Sequence, residues 1–400
     1  MDLRYGEEHE HFRAQVREFI AQHRARAPRG QGVMGARASE AMLAWQRLLV
    51  ERGYAARTVP REYGGYGGQP DILETIIVGE EFARAGVTTG VSGPGIDMLV
   101  PTLLEHGSEE QKQRFVPPTI RGELVWCQGY SEPGSGSDLA SLMTAGVEDG
   151  DDLIVNGQKI WTSSAHLADM MFALVRTEPE ARRHAGISYL LIPMDTLGIE
   201  VRPLRAMTGD AEFNQVFFSD VRVPQTNVVG RRGQGWEIAH TTLAHERQVA
   251  GNPRDLESML ESLVGLMQSE TCNGARAMDH ASFRDRLLRL QARVLGLKCH
   301  AMRLLAYDLR DEPPGVAALV VKLQACELMR EMAALGLDVM GELGALYDGS
   351  KYERAEGSWQ AEYMRWVGFI IAGGTAQIQK NIIAERGLGL PREPRPGAAR

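Results

Sequence analysis

The sequence predicts an α+β multidomain protein, with an N-terminal α-helical domain, a middle β-domain and a C-terminal four-helix bundle. Its 400 residues are too many for one ordinary hydrophobic core, so more than one domain is expected. Apolar residues recur at helical spacing in the first and last parts of the chain, whereas the middle part alternates short apolar runs with Gly and Pro. We therefore expect domains at 1–120, 121–227 and 228–390, followed by a tail at 391–400.

Helices dominate the prediction for the N-terminal domain. Residues 7–26 place Phe12, Val16, Phe19 and Ile20 on one face, which is the pattern of an amphipathic helix. Further helices are predicted at 39–52, 71–86 and 96–106.

The middle domain is predicted to consist of short strands. Leu153–Val155 reads as a strand that ends in a tight turn at Asn156-Gly157, with Lys159–Trp161 as its partner strand. Other strands are predicted at 170–176, 188–193, 198–204 and 215–221.

The C-terminal part is predicted to be a bundle of long helices. Helical periodicity without strand patterns favours antiparallel helices that pack around a common core. The predicted helices cover 236–249, 255–268, 283–309, 315–340 and 359–371. The proline-rich tail is expected to be extended or disordered.

Composition narrows the function classes. Apolar residues make up 44% of the chain and charged residues 24%, which is typical of a soluble globular protein. The net charge of −8 argues against a general nucleic-acid surface, which needs clustered Lys and Arg. The start of the chain lacks the apolar stretch of a signal peptide, and no apolar run is long enough for a membrane span, so we expect a cytoplasmic protein. The cysteines show no CxxC spacing, so we predict reduced thiols and no metal site: Cys127, Cys272, Cys299 and Cys326.

Three motifs carry the functional signal. Trp126–Asp138 contains a Ser-Glu-Pro turn with spaced glycines and hydroxyl side chains, Asn156–Ser163 follows it, and Gly373–Gln379 lies near the C-terminus. In order and spacing they closely resemble the acyl-CoA dehydrogenase family, from about residue 5 to residue 391. The resemblance implies an FAD-dependent enzyme that desaturates an acyl-CoA thioester in the β-oxidation of a fatty acid or a sterol side chain.

The same resemblance assigns the flavin contacts. Gln128, Tyr130 and Ser131 would line the pyrimidine side of the flavin ring. Trp161, Thr162 and Ser163 would lie against the ring, and the third motif would add Thr375 and Gln377. The residues alone leave an alternative, in which the first motif is a Gly/Ser loop and Trp161 a core residue.

The base is expected on the first helix of the bundle. Removal of an α proton needs a carboxylate within about 3 Å of the α carbon. Well-known family members carry a Glu immediately before the Gly-Thr of the third motif, but Gly373 occupies that position here. The pair Glu246-Arg247 resembles an isovaleryl-CoA-dehydrogenase-like subgroup, which implies that Glu246 takes the α proton while the β hydride goes to flavin N5. A helix-surface ion pair is the alternative for both residues.

The resemblance also implies substrate contacts. Arg247 would face the thioester or pantetheine end, and Ser137 would contact the CoA arm unless it only stabilises its turn. Backbone N–H groups of Gly373 or Gly374 would bind the thioester oxygen, and the missing side chain at Gly373 predicts a branched or bulky acyl group. A basic patch for CoA, or else a solvated charge run, is predicted at Arg182, Arg183 and His184.

Partners and competing functions follow from the same comparison. The family resemblance implies an electron-transferring flavoprotein as acceptor and a homodimer or homotetramer. Segments 278–291 and 338–342 lack the Arg-x-x-Phe-Gly and Gln-x-x-Gly-Gly patterns that contact the adenosine half of FAD in many members. Similar losses occur in sterol side-chain dehydrogenases that are heteromers, so a heteromer is a further expectation. The alternatives are an acyl-CoA oxidase, a flavin monooxygenase-like relative, and a structural subunit of a heteromeric dehydrogenase.

Overall fold

The fold is taken from a computed structural model, in which the chain divides into two compact units. One unit comprises Met1–Ala206 with Asp210–His245, and the other comprises Met207–Gly209 with Glu246–Arg400. The structure describes residues 5–28, 37–181, 183–249, 253–272, 274–310, 312, 314–347 and 349–392, without the side chains of 246–249, 253 and 308.

The N-terminal part is helical, as predicted. Its helices are α1 (Glu7–His23), α2 (Glu40–Glu51), α3 (Ile72–Ala85), α4 (Val100–His106) and α5 (Glu109–Ile120). The predicted first helix is shorter as an α-helix, because its last residues, Arg24–Arg26, form a 3-10 turn. Helix α5, which had no prediction of its own, begins at a capping box in which Ser108 and Gln111 satisfy each other's backbone N–H groups.

The middle part is an eight-stranded sheet. Its strands are β1 (Trp126–Gly129), β2 (Ala145–Asp149), β3 (Asp152–Ser163), β4 (Met170–Arg176), β5 (Ile187–Pro193), β6 (Ile199–Leu204), β7 (Phe213–Pro224) and β8 (Val228–Val229). The order is β6-β7-β3-β2-β4-β5-β8, with β1 paired to β4. Strands β4 and β5 are buried along almost their whole length, which explains their continuous apolar sequences.

The predicted turn at Asn156-Gly157 is wrong. Strand β3 runs through both residues, and the tight turn is instead Gly150-Asp151, between β2 and β3. Gly157 has φ +147° and marks a shift in the pairing register with β7. A Cβ atom there would lie 2.6 Å from Thr144 Oγ1. The position therefore needs glycine, because Thr144 approaches the backbone closely.

The C-terminal part is helical, as predicted. Its helices are α6 (Gly235–Val249), α7 (Pro253–Ser269), α8 (Ala281–Asp308), α9 (Leu319–Met340), α10 (Ser358–Phe369) and α11 (Ala376–Ile382), and a small hairpin joins β9 (Thr271–Cys272) to β10 (Ala275–Arg276). Helices α7, α8 and α9 share a core that includes Leu263, Met267, Leu290, Val294 and Met332. Helix α11 had no prediction, and most of the predicted tail lies outside the described residues. No helix in the described ranges is long and apolar enough to cross a membrane.

Candidate active site

The first motif forms an ordered turn after β1. Strand β1 runs parallel to β4, from Trp126 opposite Met170 to Gly129 opposite Ala173. In the following turn the Ser135 hydroxyl donates to the carbonyl of Asp138 at 2.8 Å, and the Ser141 hydroxyl donates to the same carbonyl at 2.7 Å. The hydroxyl groups therefore fix the shape of the turn, which is more than a Gly/Ser linker.

A buried ion pair ties this turn to β3. Lys159 is fully buried, and its Nζ donates to Glu132 Oε1 at 2.8 Å and to the carbonyl of Tyr130 at 3.2 Å. Glu132 also accepts the backbone N–H groups of Met143 at 2.7 Å and Thr144 at 2.9 Å. Burial lowers the pKa of Lys159 to about 8, because Glu132 offsets only part of the cost of removing an ammonium from water. The pair therefore remains charged at neutral pH.

The first three predicted flavin residues lie beside the end of β3. The N–H of Ile160 donates to the carbonyl of Ser131 at 2.9 Å, so the two motifs are adjacent. Tyr130 is buried, and its ring packs edge-on against Phe172 and Tyr189. Gln128 lies on β1 between buried neighbours. The structure thus brings together the predicted residues of the first two motifs.

Trp161 is a strained, exposed aromatic residue. Its φ is +60°, in the left-handed region, at a register shift between Lys159 and Thr162. The side chain is 61% exposed, so the alternative that it is a core residue is wrong. Its ring makes an edge contact with the ring of Phe213, at 6.1 Å between centroids. A flat apolar surface is therefore available at the end of β3.

Two buried polar atoms of the first two motifs have no partner in the described part of the chain. They are Gln128 Nε2 and Thr162 Oγ1. A buried group without a hydrogen bond costs about 1–3 kcal/mol, so native proteins rarely leave such groups unpaired. An isoalloxazine ring offers carbonyl and ring-nitrogen groups to such atoms and an apolar face to Trp161. The residues present therefore fit a flavin.

Asn214, which was not predicted as a site residue, fixes the end of β3. Its side-chain Nδ2 donates to the carbonyl of Thr162 at 2.9 Å and to that of Glu212 at 3.0 Å, while its Oδ1 lies 3.2 Å from His166 Nδ1. Asn214 is fully buried on β7. The feature of the sequence that could have identified Asn214 is a polar residue at a strand position that faces inward.

An open groove adjoins the first motif. It has a volume of about 450 Å³, and its walls include Glu132, Ser135, Ser141, Gln158 and Phe217. The side chain of Ser137 is exposed in the same turn. The predicted basic patch is close by, since Arg183 forms an ion pair with Asp138, although Arg182 lies outside the described residues.

The third motif forms a glycine turn in the second unit. Gly373 and Gly374 have φ values of +62° and +95°, and neither backbone N–H donates to another described residue. Buried Lys322 donates from Nζ to the carbonyl of Gly374 at 2.7 Å, and Gln379 Nε2 donates to that of Gly373 at 3.4 Å. Side chains that the sequence analysis missed thus hold the carbonyls and leave two N–H groups available.

The remaining predicted residues of this motif begin α11. The Thr375 hydroxyl accepts the N–H of Ile378 at 3.1 Å and caps the helix, and the side chain of Gln377 is exposed. The predicted base Glu246 and its neighbour Arg247 lie on α6, but their side chains are outside the described part of the structure. The preceding residue, His245, is half-buried, and burial lowers its pKa.

Family comparisons cover most of the chain. The model of the acyl-CoA dehydrogenase N-terminal domain matches residues 6–123, that of the middle domain 127–221, and that of the C-terminal domain 233–388. The chain belongs to the acyl-CoA dehydrogenase family. Acyl-CoA dehydrogenase IpdE1 of Mycobacterium tuberculosis is 39% identical over 391 residues, which cover 96% of this chain and 98% of that protein. The protein is accordingly an acyl-CoA dehydrogenase.

Solved structures of this family have the same fold. The Tcur3481-Tcur3483 steroid ACAD matches with a TM-score of 0.80 and 29% identity, over 98% of this chain and 100% of that one. The ChsE4-ChsE5 complex from Mycobacterium tuberculosis matches with a TM-score of 0.79 and 31% identity, again over 98% and 100%. The predicted fold class and family are therefore both confirmed.

Proposed function

We propose that the protein catalyses FAD-dependent α,β-dehydrogenation of a branched or polycyclic acyl-CoA and passes the electrons to an electron-transferring flavoprotein. The observation that carries this proposal is exposed Trp161 together with two buried atoms, one of Gln128 and one of Thr162, that have no hydrogen-bond partner among the described residues. These groups meet the needs of a flavin ring, and the chain belongs to a family of acyl-CoA dehydrogenases.

The candidate residues have separate roles in binding the flavin, removing the proton and binding the substrate. Gln128, Tyr130, Ser131 and Thr162 would hold the ring through hydrogen bonds, with Trp161 and Ser163 beside it and Thr375 and Gln377 as further contacts. A flavin held by these residues would supply the acceptor for the β hydrogen of the substrate, which leaves as a hydride. Glu246 removes the α proton, and Arg247 binds the thioester end of the substrate.

The glycine turn stabilises the developing negative charge. The N–H groups of Gly373 and Gly374, which donate to no other residue in the described part of the chain, are suited to a thioester oxygen that becomes enolate-like as the proton leaves. Lys322 supports this role because it binds the carbonyl of Gly374 and so fixes the orientation of the turn. Gly373 also leaves space where many relatives carry a Glu, which favours a bulky acyl group.

Anaerobic titration of the purified protein tests this function. Straight-chain, branched-chain and polycyclic acyl-CoAs would be added separately while flavin absorbance is followed. We expect bleaching with the bulky thioesters and little with straight chains. Bleaching by straight chains alone would refute the substrate class, and a flavin that no thioester reduces would refute the dehydrogenase proposal. Rapid oxygen consumption in place of dye reduction would identify an oxidase.

Arg183 is expected to bind the anionic CoA arm. It is exposed beside Ser137 and Asp138, close to the groove, so its charge is available to phosphate groups. Replacing Arg183 by Gln should raise KM for acyl-CoA about fivefold and change kcat less than about twofold. The expected rise in KM corresponds to the loss of one exposed charge interaction. Arg276→Gln is a matched control, since Arg276 is similarly exposed and also pairs with a neighbouring carboxylate. Equal KM values for the two variants would contradict the assignment.

A second candidate is a subunit of a two-chain dehydrogenase. The segments 278–291 and 338–342 lack the patterns that bind the adenosine half of FAD in many relatives. Two similar solved structures carry double names, the Tcur3481-Tcur3483 steroid ACAD and the ChsE4-ChsE5 complex. If the chain is such a subunit, the protein purified alone should be colourless and inactive. A yellow protein that is active alone would refute this candidate.

A further inference from the structure

A row of three buried hydroxyl groups joins β5 to α6 and α4. The Thr242 hydroxyl lies 3.3 Å from the hydroxyl oxygen of Tyr189 and 3.0 Å from that of Thr102. All three residues are fully buried. A connected set of buried, hydrogen-bonded groups holds the elements that carry it in one arrangement. We call these three groups the hydroxyl row.

The start of α6 is attached to the same strand. The N–H of Gly233 donates to Ser188 Oγ at 2.9 Å. A Cβ atom at Gly235 would lie 2.7 Å from the backbone nitrogen of Tyr189, so only glycine lets the helix begin this close to β5. Thr242 follows Gly235 by seven residues, or about 10 Å along the helix axis. Two attachments at this separation fix both the rotation and the translation of α6 against β5.

Tyr189 also contacts the first motif. Its ring stacks on that of Phe172 at 5.9 Å between centroids, and it meets the ring of Tyr130 edge-on at 6.2 Å. Tyr130 is one of the predicted flavin residues. Tyr189 therefore touches the segment expected to hold the flavin and, through its hydroxyl, the helix expected to carry the base.

Glu246 lies one helical turn beyond Thr242 on α6. A rotation or shift of the helix at Thr242 is therefore carried along its backbone to Glu246. Proton removal needs the base within about 3 Å of the α carbon, and a misplacement of about 1 Å can cost about 10²-fold in rate. The attachment of α6 at Thr242 thus bears directly on the rate of the reaction.

We propose that Tyr189 and Thr242 are positioning residues, which fix α6 against β5 and so fix the place from which Glu246 removes the α proton. Thr102 holds Thr242 from the side of α4. Burial raises the pKa of Tyr189, so its hydroxyl stays neutral and acts by hydrogen bonding and not by proton transfer. The role rests on the proposed function, in which Glu246 is the base.

Removal of single hydroxyl groups from the full-length flavoprotein tests this role. Thr242→Val and Tyr189→Phe keep the shape of the side chain but lose the hydroxyl. The thioester would be the one that reduces the parent flavin fastest among straight-chain, branched-chain and polycyclic acyl-CoAs. At saturation we expect flavin reduction to slow at least about tenfold in both variants, with the apparent Kd for acyl-CoA changed less than about twofold. Rates are expressed per bound flavin, so a loss of folded protein does not count as slow reduction.

Two further variants separate positioning from packing. Thr242→Ser keeps the hydroxyl and should reduce flavin within about threefold of the parent rate. In the Thr242→Val background, Tyr189→Phe should slow the reaction less than about twofold further, because the two hydroxyls act through the same contact. Losses that multiply in the double variant would show independent effects and overturn the proposal.

Thr88→Val is the matched control. Thr88 is buried in the N-terminal part, and its hydroxyl accepts the N–H of Gly90 at 3.2 Å, outside the hydroxyl row. It should reduce flavin at the parent rate. A parent rate in Thr242→Val, a Thr242→Ser as slow as Thr242→Val, or an equally slow Thr88→Val would overturn the positioning role and leave the dehydrogenase proposal intact. A parent flavin that no thioester reduces would refute the proposed function and this role with it.

Discussion

Replacing Glu246 by Gln should lower turnover about 10²–10⁴-fold, the usual contribution of a general base. Gln has nearly the same size and shape as Glu but does not accept a proton at neutral pH. Because the change leaves Trp161, Thr162 and the first motif intact, flavin content should remain that of the parent protein. A loss of this size with retained flavin would identify Glu246 as the base.

The measurement is the rate of flavin reduction after anaerobic mixing with acyl-CoA. Glu237→Gln is the matched control, because Glu237 is an exposed acidic residue on the same helix. It should reduce flavin at nearly the parent rate. If Glu246→Gln also kept the parent rate, the base would have to be another group, and the parallel with the isovaleryl-CoA-dehydrogenase-like arrangement would fail.

The sequence predicted elements well wherever apolar periodicity was long. Helices such as α2 and α8 were predicted within about two residues of their observed ends, as long amphipathic patterns allow. The error at Asn156-Gly157 has a physical cause. That dipeptide favours tight turns, but here Gly157 lies at a register shift with β7 and packs closely against Thr144, which the local sequence does not reveal.

The groups that fix the candidate site were harder to predict. Asn214 binds the carbonyl of Thr162 from a distant strand, and Lys322 binds the carbonyl of Gly374 from another helix. Neither contact leaves a local pattern in the sequence, since each joins a side chain to a backbone atom about fifty residues away. The motifs predict which residues meet a ligand, but not which residues hold them in place.

Lys159→Met should destabilise the protein by about 3–5 kcal/mol, the usual cost of removing one partner from a buried ion pair. The change leaves the Glu132 carboxylate buried without its cationic partner, although the N–H groups of Met143 and Thr144 still donate to it. It also removes the donor to the carbonyl of Tyr130, so the predicted flavin residues lose one of their attachments to β3 and keep the bond from the Ile160 N–H to the Ser131 carbonyl. Urea unfolding followed by circular dichroism would measure the effect. Lys298→Met is the control: Lys298 pairs with Glu257 near the surface, and its loss should cost less than about 1 kcal/mol.

A second substitution separates the ion pair from simple packing. In the double variant Lys159→Met with Glu132→Gln, no unpaired charge remains, and the Gln oxygen still accepts a backbone N–H. It should therefore recover about 1–3 kcal/mol relative to Lys159→Met alone. Flavin affinity should fall in Lys159→Met even well below its unfolding transition, because the turn that carries Tyr130 and Ser131 is released. If the single variant were as stable as the parent and bound flavin equally well, the turn would be held by its backbone bonds alone, and Lys159 would have no positioning role.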